Sequence, residues 1–311
     1  MILVAGSANL DFVVRAPHIP APGETVMGRD FKTFPGGKGA NQAVACARAG
    51  AASTHMLLAL GDDAFAPPLE QSLKGAGVHL HVVRVPEQAT GTAFICVSDG
   101  AENAITVAPG ANFALMPAHL PPLAGFSYLL MQLEIPMTSV MAYAQAARTA
   151  HVKVALNAAP AQVLPAELLS CLDILMVNEG ELAVISNHTG SIAESAARLD
   201  VPCLVVTLGH RGSCARHEGV WTFRPAFKVQ PLDTTGAGDT FCGVLVAALT
   251  QGQSLPEALT LASAAGALAC TRLGAQSSIP TQEEVVHFLT QHAPATPEQV
   301  LQLKQFCGFN D

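Results

Sequence analysis

Tyr128-Leu129-Leu130-Met131-Gln132-Leu133, a helical pattern over Met137–Ala150, and then Val152-Lys153-Val154-Ala155-Leu156 form the succession that decides the fold. Both flanking runs are apolar without the alternation of a half-exposed strand, so each reads as a strand covered on its two faces. The rhythm recurs along the chain. Ile2–Ala5, Met56–Leu60, Ile174–Val177 and Leu204–Leu208 read as further buried strands, and Ala40–Ala49, ending at Gly50, as a helix. Non-alternating strands separated by helices predict an α/β fold: a doubly wound, mostly parallel sheet with helices on both faces.

Two segments break this rhythm. Residues 11–34 carry Pro17, Pro20, Pro22 and Gly23 and show no helical period, while residues 90–108 read as a hairpin. Its strands are Thr92–Ser98 and Asn103–Val107, joined by a turn at Asp99-Gly100-Ala101. Together they predict a small β-sheet standing off one edge of the main sheet, placed to cover a site at the strand C-termini. A pair of unrelated surface hairpins fits the same pattern. The last third reads as helices over Gly238–Thr250, Leu255–Leu273, Thr281–Gln291 and Pro297–Phe306. Thr281 with Glu284 forms a capping-box pattern at one helix start. There is no internal repeat, so the expectation is one domain over residues 1–311, with 293–311 as a helical extension of no assigned role.

Composition excludes several classes of function. The chain has 311 residues, 50% hydrophobic and 13% charged, enough for a large core and against disorder. Its formal net charge of −8, without a basic cluster, excludes a nucleic-acid partner that needs a basic face. A nucleotide remains compatible, because backbone N–H groups and a metal ion can hold phosphates locally. The eight cysteines form no CxxC pair and mostly sit in apolar runs, the pattern of buried thiols in a reducing compartment. With no signal peptide and no apolar run of spanning length, the expected location is cytoplasmic and the membrane is not a partner.

The most informative local segment is Asp233-Thr234-Thr235-Gly236-Ala237-Gly238-Asp239-Thr240-Phe241, which leads into an apolar helix. Gly236 and Gly238 let the backbone turn tightly and approach a ligand, and the free N–H groups of a helix start favour negative charge. Asp239 in the first turn either complements the helix dipole or takes a proton from an alcohol beside that anion site. A second glycine-rich entry, Gly36-Gly37-Lys38-Gly39-Ala40-Asn41-Gln42, is neither a Walker A loop nor a GxGxxG fingerprint. It suits a polar, uncharged ligand, or else is an ordinary strand-to-helix turn. Asn9 and Asp11 alternate after the first strand, and Glu134, Asn178, Glu181 and Thr207–Gly212 follow later strands. Those are the positions where parallel sheets bind ligands.

In this order, from Gly6 to about Pro280, these segments resemble the ribokinase-like (PfkB) carbohydrate kinases. Gly36–Asn41 is similar to the family's first motif and Asp233–Phe241 to its second. Thr90-Gly91-Thr92, Glu102-Asn103, Gly110-Ala111-Asn112, Gln132-Leu133-Glu134 and Asn178–Glu181 fall where family members carry similar residues. The resemblance implies an ATP-dependent kinase acting on the primary hydroxyl of ribose or a closely related pentose. It makes Asp239 the general base, with the N–H groups of Gly236, Ala237 and Gly238 as the anion hole. Asn9, Asp11, Gly37, Lys38, Asn41 and Glu134 then line the sugar pocket. Asn178 and Glu181 help place Mg2+ and phosphates, and Thr207, Gly209 and Gly212 lie along the ATP site. Asp233, Thr235, Ala269, Arg272, Gly274 and Ser278 match positions that enclose K+. The lid segments imply a homodimer.

The chain also departs from the family pattern. Ser263 stands where a histidine near the adenine is common, Phe94 sits near the lid mouth, and residues 293–311 extend past the usual end. The amide and carboxylate set suits a small polyol without phosphate; a phosphosugar kinase needs an added cation. Another substrate of the same fold (fructose, deoxyribose or a nucleoside) is the alternative, although a nucleoside pocket wants aromatic walls. A sugar-binding protein without turnover is a second class, which retention of Asp239 and the glycines opposes.

Overall fold

The apolar runs form the strands of one large sheet, and the Gly- and Pro-rich stretches connect them. A computed structural model describes residues 1–100 and 103–309. In chain order its strands are β1 (Ile2–Ala5), β2 (Asn9–Ala16), β3 (Arg29–Gly36), β4 (Thr54–Leu60), β5 (His79–Arg84), β6 (Gly91–Ser98), β7 (Asn103–Ala108), β8 (Tyr128–Met131), β9 (Lys153–Asn157), β10 (Ile174–Asn178), β11 (Cys203–Thr207), β12 (Gly212–His217) and β13 (Val220–Pro225). The helices are α1 (Lys38–Arg48), α2 (Ala66–Gly75), α3 (Met137–Thr149), α4 (Ala166–Leu169), α5 (Glu179–Ser186), α6 (Ile192–Ala196), α7 (Ala237–Thr250), α8 (Leu255–Ala269), α9 (Gln282–Gln291) and α10 (Pro297–Phe306).

Among the described residues the large sheet runs β13-β12-β11-β10-β9-β8-β1-β4-β5. Pairs from β11 to β5 are parallel, and β12–β13 adds an antiparallel hairpin at one edge. All residues of β1 and β8 are buried. Successive side chains alternate between two cores: Ile2 and Val4 join the core of α1, α7 and α8, and Leu3 and Ala5 the core under α3 and α5. The doubly wound expectation holds. Three strands escape the sequence reading: β5, β12 and β13. All lie toward the sheet edges, where a half-exposed strand mixes polar residues with apolar ones and has no continuous apolar run. Two elements are also shorter than read. The run expected as far as Leu133 pairs only to Met131, and α8 ends at Ala269, before a turn with Gly274 at φ 85°. The capping box is present: Glu284 N–H donates to Thr281 Oγ1 (3.3 Å) and Thr281 N–H to a Glu284 carboxylate oxygen (2.8 Å).

The second sheet has the order β3-β2-β6-β7, with β2 and β6 parallel and the outer pairs antiparallel. Phe12 anchors it, stacked on Phe94 (5.4 Å) and Phe31 (6.1 Å) and edge-on to Phe65 (5.4 Å). The turn residue Ala101 and the family-like Glu102 lie outside the described residues, as do residues 310–311 of the C-terminal extension. This sheet is rooted at the site: β2 starts at Asn9 just after β1, and β3 ends at Gly36 just before α1. No helix among the described residues is long and apolar enough to cross a membrane.

Candidate active site

Asp239 lies in the first turn of α7 and is only 8% exposed. A carboxylate so buried needs donors. It takes them from the start of α1: Asn41 Nδ2 donates to Oδ2 and Gln42 Nε2 to Oδ1, each at 2.9 Å. Gln42 is itself fixed, its Oε1 accepting from Gln132 Nε2 (2.6 Å) and its Nε2 shared with Asn157 Oδ1 (2.9 Å). Both carboxylate oxygens are therefore aimed. Asn41 Oδ1 is buried with no partner among the described residues, an acceptor left for a ligand.

The sequence-predicted polyol group converges next to this carboxylate. Asn9 and Asp11 sit buried on β2, and Asn9 Oδ1 accepts from Asn112 Nδ2 (2.8 Å). Glu134 Oε2 accepts from Ser7 Oγ (2.6 Å) and from the Lys38 N–H (3.2 Å). Gly37, at φ 89°, lets α1 begin hard against β2; a Cβ there would stand 2.7 Å from the Asn9 nitrogen. Burial, and then the nearby Glu134 and Asp239 carboxylates, push the Asp11 carboxyl up to about 7. Lys38 is held charged for the complementary reason, since Asp239 first and then Glu134 and Glu181 raise its ammonium above its ordinary value.

On the other side of Asp239 a cavity of about 870 Å³ opens at the C-terminal ends of β10 and β11. Its lining includes Asn178, Thr207, Gly209, Gly212, Ala237 and Gly238. Ser263 is also on the wall. Gly236 caps α7 at φ 74°, and a Cβ on Gly238 would meet nothing within 4 Å, so the helix start faces open space. The Ala237 N–H turns to the Thr234 carbonyl (3.2 Å), leaving the neighbouring glycines better placed to receive an anion. Asn178 and Glu181 exchange capping-box bonds at 2.8 Å each, and burial raises the Glu181 carboxyl.

Of the residues expected around K+, hydrogen bonds join Asp233, Thr235 and Gly274. Asp233 Oδ1 accepts from the Thr235 N–H and Oδ2 from the Gly274 N–H, each at 2.9 Å. Burial alone would raise this carboxyl, but those bonds outweigh it and hold it below its usual value. Arg272 sends its guanidinium to Glu284, which leaves its backbone carbonyl as its possible ligand atom, while the Ala269 carbonyl already accepts the Arg272 N–H (3.2 Å). Ser278 Oγ donates to the Ala275 carbonyl (2.8 Å). One carboxylate among neutral oxygens fits a monovalent cation. No cluster of His, Cys, Asp and Glu suited to a metal ion occurs among the described residues. Sequence reasoning assigned no role to Ser7, Gln42 or Asn157. The only local signal for them is an amide or hydroxyl in an otherwise apolar, buried stretch.

A doubly wound sheet, a buried carboxylate at a helix start and a cavity at the strand C-termini suit a phosphotransferase with an alcohol group as acceptor. The model of pfkB family carbohydrate kinases matches residues 1–282. The ribokinase of Haemophilus influenzae is 39% identical over 304 residues, covering 94% of this chain and 99% of its own. The deoxyribokinase of Salmonella typhi is 31% identical, covering 93% of this chain and 98% of its own. A structure of Arabidopsis thaliana ribokinase complexed with ribose and ATP superposes with a TM-score of 0.85 at 33% identity, covering 93% of this chain and 98% of that one. The chain belongs to the pfkB family of carbohydrate kinases, and it is a transferase of carbohydrate metabolism.

Proposed function

We propose that the protein transfers the γ-phosphoryl group of ATP to the primary hydroxyl of ribose or a close pentose relative. The observation that carries this reading is the position of Asp239, both oxygens oriented by Asn41 and Gln42, between the polyol-lining group and the 870 Å³ cavity. Asp239 takes the proton of the attacking hydroxyl, while the Gly236 and Gly238 N–H groups, with Ala237 between them, stabilise charge on the transferring group. Asn9, Asp11, Gly37, Lys38, Asn41 and Glu134 hold the sugar and fix which hydroxyl points at Asp239. Thr207, Gly209 and Gly212 line the nucleotide. Asn178 and Glu181 would help hold Mg2+, which would supply neutralisation of phosphate charge. Asp233 and the carbonyls near it would hold K+, whose charge would stiffen the anion hole.

The four-stranded sheet serves as the lid. Its exposed Phe31 and Phe94, stacked on either side of Phe12, form an apolar face that supports pairing of two lids in a homodimer. Buried free thiols at Cys46, Cys203, Cys214, Cys242 and Cys307 support a cytoplasmic location.

The deciding experiment measures ADP release over a panel of ribose, deoxyribose, fructose and nucleosides, in potassium and in sodium buffer. The expected result is turnover with ribose, raised severalfold by potassium. Sugar binding without ADP release overturns the kinase reading; preference for deoxyribose moves the substrate to the chemistry in the name of the Salmonella typhi relative. Indifference to the cation removes the ion site.

A further inference from the structure

The family match stops at residue 282, yet the chain continues through α9 into α10, whose start is capped by the Thr296–Gln299 pair. This last helix lies on the β12–β13 hairpin. Leu303 and Cys307 are buried, and Phe309 packs edge-on against Trp221 (4.8 Å) and Phe223 (5.4 Å). Gly308, at φ 92°, passes so close to Ser191 that a Cβ would come within 2.6 Å of it. Those contacts dock the helix. Phe306 makes a different one: its ring lies 4.2 Å from the guanidinium carbon of Arg211 while the residue stays 40% exposed.

Arg211 ends the short turn Gly209–Arg211, and its neighbours Gly209, His210 and Gly212 line the cavity. Its guanidinium also reaches Glu179, Nη1 to Oε2 at 3.8 Å, and Glu179 lines the same cavity. A carboxylate at that wall repels a polyphosphate unless a cation accompanies it. A guanidinium held over an aromatic face loses freedom and gains attraction at once.

We infer that the C-terminal helix braces the nucleotide half of the site. Phe306 holds Arg211 against Glu179, which neutralises the carboxylate and fixes the turn at 209–212. Phe306 and Arg211 are positioning residues, acting through Glu179 and the turn. The inference rests on reading the cavity as the ATP site.

The test uses the full-length chain and measures KM for ATP, KM for sugar and kcat in the wild type, Phe306→Ala, Phe306→Trp, Glu179→Gln and the Phe306→Ala/Glu179→Gln double variant. Phe306 is partly exposed and Leu303, Cys307 and Phe309 keep the helix docked, so Phe306→Ala is expected to fold. It should raise KM for ATP about fivefold and leave sugar KM and kcat within about twofold. Phe306→Trp should restore ATP KM. In the Glu179→Gln background Phe306→Ala should add less than about twofold, since no charge then needs neutralising. Wild type that neither binds nor turns over ATP breaks the reading of the cavity, and the brace with it. Wild type that does, with Phe306→Ala matching it or losing as much in the Glu179→Gln background, breaks the brace alone.

Discussion

Around Asp239, one side of the site consists of interlocked side chains, while the other brings glycine and alanine backbone up to it and keeps polar side chains such as Asn178, Glu179 and Lys228 elsewhere on its wall. On the proposed sugar side, Ser7, Asn9, Asn41, Gln42, Gln132 and Glu134 come from three separate stretches of chain, and all but Glu134 are under 6% exposed. Each is hydrogen-bonded before any ligand arrives, to another of the six, to Asp239 or to Asn112. On the proposed nucleotide side, glycine and alanine at the start of α7 and in the turns after β11 leave a wide cavity. The difference has a physical meaning. A pre-built polar network discriminates by leaving buried partners unpaired when a hydroxyl is missing, whereas backbone N–H groups accept an anion wherever no side chain fills the space. The first half should therefore be sensitive to charge and the second to volume.

The largest expected effect breaks the charge-sensitive half at its centre. Asp239→Asn keeps the shape and one of the two acceptors that meet Asn41 and Gln42, but it cannot take a proton. We expect kcat to fall by about 10²–10⁴-fold with sugar affinity within a few-fold, read by steady-state kinetics and sugar calorimetry. A comparable loss in sugar affinity would make Asp239 a binding residue instead of a base.

Volume is tested next, with one glycine from each half. Gly238 sits in the first turn of α7 with nothing within 4 Å of an added Cβ. Gly238→Ala should leave the melting temperature unchanged or raise it, because alanine is the better helix former, yet raise KM for ATP by at least about tenfold. Gly37→Ala should do the reverse in kind. At φ 89°, with the Asn9 nitrogen 2.7 Å and the Ala8 Cα 2.8 Å from the added carbon, it should cost at least about 2 kcal/mol of stability in urea titration. If Gly238→Ala leaves ATP unaffected, the helix start is not where phosphate lies.

That contrast also explains what could be read from the sequence. The central strands are legible because burial on both faces demands an unbroken apolar run, as in Leu129–Met131 and Leu204–Val206. The strands β12 and β13 at one end of the sheet carry Arg216 and Arg224 and reveal themselves only once paired. The glycines of the nucleotide half announce themselves in line, since Gly236 and Gly238 stand beside Asp239. The donors to Asp239 do not. Gln42 lies 197 positions away in the chain, and nothing local marks it as the amide that will meet that carboxylate. Single-sequence periodicity reports which face is buried, and contacts across such separations are set by the whole topology.

The smallest effect sharpens the charge-sensitive half without a new side chain in the wild type. Burial first, and then Glu134 and Asp239, raise the Asp11 carboxyl from an ordinary 3.8 to about 7. A folded-state value above the unfolded one means the neutral acid is favoured in the ligand-free fold. Its stabilising contribution is complete below about pH 4 and lost as pH rises through 7. Sugar binding runs the other way, because the carboxylate is the stronger acceptor for hydroxyl groups. Between pH 6.5 and 7.5 the ionised fraction rises about threefold, so sugar affinity measured by calorimetry without nucleotide should improve by about that factor. Over the same window the ligand-free melting temperature should drift down. Asp11→Asn should flatten both slopes and bind sugar weakly throughout. A wild-type affinity indifferent to pH there would mean that Asp11 is already ionised, and that Lys38 compensates the cluster of carboxylates more fully than its burial allows.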